Sequence, residues 1–167
     1  MKSLYHFIVK PFESRYDNIR QVGGNDLIIN TGIEDHKFIS KKAVVVSTPA
    51  AYNTKINIGD EIYIHHNIFR RWYDQKGEER NGSTHFKDDL YFVSLEQIYM
   101  YNLKPNLDYC FVKPLKNQSV LENRKEQPNV GIVKYSNKSL EALGITPETL
   151  ITFTPNSEFE FIIEGER

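Results

Sequence analysis

The alternation of apolar and polar residues along this chain predicts short β-strands rather than long helices. The run from Leu4 to Lys10 is one such strand, and Pro11 ends it because proline has no backbone amide to donate. The segment Ala43–Ser47 is short and β-branched, and it is predicted to be a strand covered on both faces. From Glu61 to His65 the residues alternate in polarity. We therefore expect a mainly β protein.

Two parts of the chain carry the same succession of strand patterns. In each part a strand ends in Val-Lys-Pro, a buried strand follows, and a turn leads into a third strand. The corresponding segments are Phe7–Pro11 and Cys110–Pro114, Ala43–Val46 and Gly131–Val133, and Ile58–Ile64 and Ile145–Ile151. This internal repeat predicts two domains, residues 1–103 and 104–167. Each is expected to be a small antiparallel β-barrel, since closure removes exposed strand edges.

The two copies differ most in the segment between their first and second strands. In the first copy this segment is a long polar loop, about residues 13–42, with one apolar run, Leu27-Ile28-Ile29, near its middle. In the second copy it is shorter, and Val120 and Leu121 are its apolar residues. We expect that second segment to be ordered rather than a binding loop. A feature present in one copy of a duplicated unit is a candidate for function.

The order of elements in the first copy resembles the chaperonin-10 family, the GroES-like co-chaperonins. The residues that carry the resemblance are the Val-Lys-Pro strand end, the loop with Gly23–Gly24 before Leu27-Ile28-Ile29, the strand Ile58–Ile62 and the closing segment Leu90–Ile98. The apolar run also resembles the loop of co-chaperonins from large tailed bacteriophages. The resemblance covers residues 4–102, and more faintly 107–167.

The resemblance implies a specific function. A co-chaperonin is a ring of identical subunits that caps a chaperonin ring and assists protein folding, while the chaperonin handles the nucleotide. By this resemblance, Leu27, Ile28 and Ile29 form the chaperonin-binding site, two GroES-like barrels follow in tandem, and no cofactor is required. Pairing of edge strands between subunits would close the ring, and the strand Leu4–Lys10 is the expected contributor.

Elementary physical chemistry supports docking by the loop independently of the resemblance. Three large apolar side chains in a polar segment have little local structure to bury them, so a partner surface is a plausible place for them. The alternative is that Asp26–Asn30 is simply a strand of the barrel, or an edge hairpin in a capsid or tail protein. Both interpretations stay open from the sequence.

Composition and charge narrow the classes of function. The chain has 167 residues, 40% hydrophobic and 26% charged, as in ordinary globular proteins. A net charge of −1 argues against a protein dominated by binding to phosphate backbones. The single cysteine, Cys110, is predicted to be a small buried core residue. No leader peptide or membrane span is recognisable, so a cytoplasmic location is expected, in the host cell if the gene is from a phage.

The remaining motifs predict no catalysis. His65 and His66 are adjacent, and adjacent residues of a strand point to opposite faces, so they are not expected to bind a metal together. The segment Phe69–Tyr73 is predicted to be a strand with Trp72 in the core and the arginines outside. No phosphate-binding loop or nucleophile motif is present, so we do not expect an enzyme. Two other classes remain open: a structural protein of a virion and an oligonucleotide-binding barrel.

Overall fold

The computed structural model describes residues 2–17, 19–28, 36–116 and 126–167. The chain forms two compact units, Met1–Asn102 and Leu103–Arg167. The predicted boundary lies one residue further along the chain. Strands account for most of the regular structure, so the prediction of a mainly β protein is confirmed. Within the described residues, no helix is both long and apolar enough to cross a membrane.

The first unit contains ten strands among its described residues. They are β1 (Phe7–Pro11), β2 (Ile19–Val22), β3 (Asn25–Ile28), β4 (Lys42–Ser47), β5 (Glu61–Ile64), β6 (Arg71–Tyr73), β7 (Glu79–Asn81), β8 (His85–Lys87), β9 (Leu90–Val93) and β10 (Ile98–Tyr101). Two short 3₁₀-helices, His66–Phe69 and Leu95–Gln97, connect them.

The main sheet of the first unit is antiparallel and has the order β10-β5-β4-β1-β9-β8. The described strands form an open sheet in which no closed barrel is found. Strand β1 lies inside the sheet, where Phe7 pairs with Val93 and Val9 with both Val45 and Tyr91. The expected pairing of Leu4–Lys10 with a neighbouring subunit is therefore wrong for Ile8 and Val9, because each of them already pairs with β4 on one side and with β9 on the other.

The core of the first unit lies against one face of this sheet. Its largest fully buried side chains include Phe7, Val9, Val45, Ile56, Ile62, Ile64, Ile68, Phe69, Tyr91, Val93, Ile98 and Met100. In β4, Ala43, Val45 and Ser47 are buried, whereas Val46 is 38% exposed. The prediction that β4 is covered on both faces is therefore wrong, because its burial alternates like that of a strand with one solvated face.

The second unit is smaller and has a simpler sheet. Its elements are β11 (Lys104–Pro105), β12 (Phe111–Lys116), β13 (Glu126–Tyr135), the short helix α1 (Lys138–Ala142) and β14 (Leu150–Thr152). Strands β12, β13 and β14 form a three-stranded antiparallel sheet in that order. Among its described residues, the buried large apolar side chains are Val133 and Ile163.

The three strands of this sheet repeat the pairing of β1, β4 and β5. In the first unit Pro11 pairs with Ala43 and Ala43 with Ile62, and in the second Pro114 pairs with Gly131 and Gly131 with Ile151. The register shift after Ile8 in β1 recurs after Phe111 in β12, at the equivalent residue. The predicted correspondence thus holds for the first two strands of the repeat. The third strands are offset by two residues from the predicted match, because Ile62 corresponds to Ile151 and not to Thr149.

The turn before the third strand is also conserved between the two copies. The amide of Gly59 donates to the carbonyl of Val45 at 2.8 Å, and the amide of Glu148 donates to the carbonyl of Val133 at the same distance. Both residues have a positive φ, 91° for Gly59 and 70° for Glu148. Glycine adopts this conformation readily, whereas a residue with a Cβ is strained in it.

Candidate functional site

A two-stranded hairpin carries most of the predicted site. Strands β2 and β3 pair only with each other among the described residues, and Gly23 and Gly24 connect them with φ values of 60° and 84°. Two successive residues with positive φ are what a tight two-residue hairpin turn requires. Every residue of the two strands is exposed, including Leu27 at 54% and Ile28 at 58%. Ile29 lies outside the described residues.

The hairpin has an apolar pair on each of its two faces. Ile28 lies opposite Ile19, so these two side chains share one face. Leu27 lies on the other face, diagonally across from Val22, because consecutive strand residues point to opposite sides. Ile19 is 51% exposed and Val22 is 60% exposed. We call Ile19–Ile28 the docking hairpin, after the role that the sequence analysis predicts for it, and its apolar groups are Ile19, Val22, Leu27 and Ile28.

Sequence reasoning missed Ile19 and Val22. A two-glycine turn with apolar residues on both sides is a recognisable hairpin pattern, and that pattern would have identified both residues. The alternative interpretation made Asp26–Asn30 a strand of the barrel or part of an edge hairpin. Residues 26–28 lie in strand β3, and residues 29 and 30 lie outside the described residues. That strand belongs to the separate hairpin and not to the main sheet.

The docking hairpin is connected to the body of the unit by a short ladder. The amide of Asp17 donates to the carbonyl of Phe38 at 2.8 Å, and the amide of Ser40 donates to the carbonyl of Arg15 at 3.1 Å. Tyr16 and Ile39, between these bonds, form an isolated β-bridge and are both buried. The base of the hairpin is thus part of the core, while its strands are exposed to solvent.

Arg15 and Tyr16 hold the outgoing side of this base, which is residues 15–17, where the chain leads into the hairpin. The Arg15 guanidinium donates to the carbonyls of Phe69 and Arg70, at 2.6 and 3.2 Å, and to Asn81 Oδ1 at 2.6 Å. The Tyr16 hydroxyl accepts the amide of Arg71 at 3.1 Å. These bonds fix the direction in which the docking hairpin leaves the unit.

Three histidines lie beside the returning side of the base, which is residues 38–40, where the chain comes back from the hairpin. The rings of His65 and His66 stack with centroids 4.3 Å apart, and the His36 ring is 5.5 Å from that of His66. The prediction that His65 and His66 point to opposite faces is wrong, because strand β5 ends at Ile64 and His66 begins a 3₁₀-helix. Within the described residues, no group of three or more His, Cys, Asp or Glu side chains could hold a metal ion.

A second hairpin, β6–β7, also lies outside the main sheet but has a different surface. Trp72 and Tyr73 are 44% and 52% exposed, so the prediction that Trp72 lies in the core is wrong. Its ionic contacts are Arg71 with Glu79 at 3.1 Å, Arg80 with Asp74 at 2.9 Å, and Arg80 with Glu78 at 2.5 Å. Hydrogen bonds from the Glu78 amide and from Arg80 lower the pKa of Asp74. Paired in this way, the arginines leave little positive charge for a nucleic acid.

The remaining predicted residues lie in the second unit. Cys110 is half-buried, and this burial raises the pKa of its thiol, which disfavours a reactive thiolate. Val120 and Leu121 lie outside the described residues, so the expectation for their segment stays a prediction.

Comparison of the chain with protein-family models, with curated proteins and with solved structures finds no match.

Proposed function

We propose that this protein is a co-chaperonin-like lid that binds a chaperonin ring through the docking hairpin and assists protein folding. The observation that carries the proposal is the exposure of Ile19, Val22, Leu27 and Ile28 on a two-stranded ribbon that pairs with no further strand of the described part of the chain. The chain contributes no catalytic group in this proposal and needs no cofactor. The residues Leu27 and Ile28 are the same ones that the resemblance to the chaperonin-10 family implies.

The energetics of such docking favour a reversible complex. Full burial of each of these apolar side chains contributes about 1.5–3 kcal/mol. Fixing the position of two partners and their side chains removes much of this gain, so one hairpin binds weakly. A ring that presents several hairpins at once recovers affinity through effective concentration. Weak single contacts in a symmetric ring suit a lid that must dissociate.

We further propose that each unit is a divergent copy of one small β-barrel, of which the described sheet forms one wall. The shared register of β1-β4-β5 and β12-β13-β14 supports a common ancestor. In this proposal the first copy has the docking hairpin between its first two strands. The second copy supplies bulk or a contact between subunits, and subunits assemble into a ring.

Replacement of Ile28 by Asp tests the proposed function. A carboxylate entering an apolar groove without a partner is strongly disfavoured, so binding to a nucleotide-loaded chaperonin ring should fall below detection. Thermal unfolding should be unchanged because Ile28 is exposed. Ile58→Asp is the matched control, since Ile58 is 64% exposed and lies outside the hairpin. Equal binding by both variants, or no binding by the parent protein, would refute the proposal.

One observation favours a second candidate, a structural protein of an assembly such as a virion. The second unit exposes several large apolar side chains, namely Leu143, Leu150, Phe159 and Ile162. Such side chains are common where proteins meet other proteins. Light scattering of the intact chain with and without a chaperonin ring separates the two candidates. A large homo-oligomer that ignores the chaperonin favours the structural role.

A further inference from the structure

The base of the docking hairpin is held differently on its two sides. On the outgoing side, the contacts are hydrogen bonds of the Arg15 guanidinium and the Tyr16 hydroxyl. On the returning side, His36 contacts the ring of His66, two residues before Phe38 accepts the Asp17 amide. An imidazole ring of ordinary pKa changes charge between about pH 5 and pH 8.

The surroundings of the histidine stack contain positive groups. Lys41 and Arg70 are the charged neighbours that act on these rings, and the Tyr99 ring lies 6.3 Å from that of His65. His65 Nδ1 also accepts the amide of Asn67 at 3.1 Å, which requires Nδ1 to be unprotonated. The stack is thus compatible with neutral rings and is opposed by protonation.

We infer that the stack of His36, His65 and His66 is a pH-sensitive latch that holds the returning side of the docking hairpin. With neutral rings the stack is closed and the ladder between residues 15–17 and 38–40 is formed. On acidification the rings of His65 and His66 become positive and repel each other and Lys41. The returning side then separates from the 3₁₀-helix. The outgoing side stays attached through Arg15 and Tyr16. This inference is independent of what the hairpin binds.

The titration of His66 sets the direction in which a change of pH opens the latch and the pH range over which it opens. Burial first, and then the positive charges of His65 and His36, lower its pKa from 6.5 to about 4. Burial and Lys41 lower the pKa of His65 as well. In the open state these pKa values return toward 6.5, so the open state binds more protons. The closed latch is therefore fully favoured above pH 6.5 and is progressively lost as the pH falls toward 4.

Amide hydrogen exchange, corrected for the intrinsic effect of pH, tests the latch. Between pH 7.5 and pH 5, protection of the Asp17 and Ser40 amides should fall about tenfold, a value that allows for the partial exposure of the rings. The Arg71 amide, bonded to Tyr16, and the core amide of Val45 should keep their protection. In the His36→Gln variant, the loss of protection at the Asp17 and Ser40 amides should be smaller. The pKa of His66, followed by NMR, should rise toward 6.5 because the charge of His36 no longer lowers it.

The matched control is His6→Gln, because the ring of His6 packs near Phe92, with ring centroids 6.0 Å apart, and takes no part in the stack. This variant should behave like the parent protein. The inference is overturned if protection at Asp17 and Ser40 does not depend on pH, or if His36→Gln loses it as the parent does. It is equally overturned if the Val45 amide loses protection together with them, since the change would then be global unfolding.

Discussion

The two units share a three-stranded scaffold but differ in what is built on it. In the first, β1 and β4 are separated by the docking hairpin, and the positions of β1 that face the core are fully buried. In the second, the residue equivalent to Phe7 is the half-buried Cys110, and few of the large apolar side chains that the structure describes there are buried. The comparison teaches that the same strand pairing occurs in both units, whereas the larger described core and the exposed apolar hairpin both belong to the first.

The largest expected effect comes from truncation at equivalent core positions. Phe7→Ala should reduce the free energy of unfolding of the first unit by about 3–5 kcal/mol, because a fully buried ring leaves a cavity. Cys110→Ala removes one half-buried sulfur from the equivalent position and should cost less than about 1 kcal/mol. Denaturant unfolding of both variants measures the difference. Equal costs would show that the second unit has a core as dense as the first.

A smaller effect is expected at the equivalent turn residues, with opposite signs. Glu148→Gly should stabilise the second unit by about 1 kcal/mol, because glycine relieves the strain of a positive φ. Gly59→Ala should destabilise the first unit by a similar amount, although no atom lies within 4 Å of the added Cβ. Thermal unfolding of the two variants checks both signs. A destabilising Glu148→Gly would contradict the equivalence of the two turns.

The smallest effect is expected in the charged hairpin β6–β7. Glu79→Gln breaks the ion pair with Arg71, which is partly exposed, so the protein should lose less than about 1 kcal/mol of stability. Because this hairpin has no part in the proposed docking, affinity for a chaperonin should not change. Isothermal titration of this variant against a chaperonin ring provides the measurement. A marked loss of affinity would extend the binding surface to β6–β7.

Sequence patterns predicted the features that depend on local periodicity. The mainly β content and the repeat followed from strand patterns and from Val-Lys-Pro at Pro11 and Pro114. The exposure of Trp72 was missed because an aromatic residue in an alternating segment does not reveal whether its strand joins the main sheet. The stacking of His65 and His66 was missed because the change from strand to 3₁₀-helix at Ile64 is set by tertiary packing.

Within the candidate site, sequence reasoning proposed Leu27 and Ile28, which are exposed, but did not predict how they are arranged. The apolar run suggested a contiguous docking segment, whereas β3 places its neighbours on opposite faces. The cross-strand partner Ile19 depends on the register of a hairpin, which the Gly23–Gly24 turn specifies. Long-range bonds such as those of Arg15 to Phe69 and Asn81 leave no local signal in the sequence.

The most direct test of the central claim is hydrogen exchange of the intact chain with and without a nucleotide-loaded chaperonin ring. Amides of Ile19–Val22 and Asn25–Ile28 should gain protection in the complex, while those of Glu79–Asn81 in the charged hairpin should not change. Protection confined to the docking hairpin is the predicted result. A complex in which these amides exchange as in the free protein, or the absence of any complex, would contradict the account.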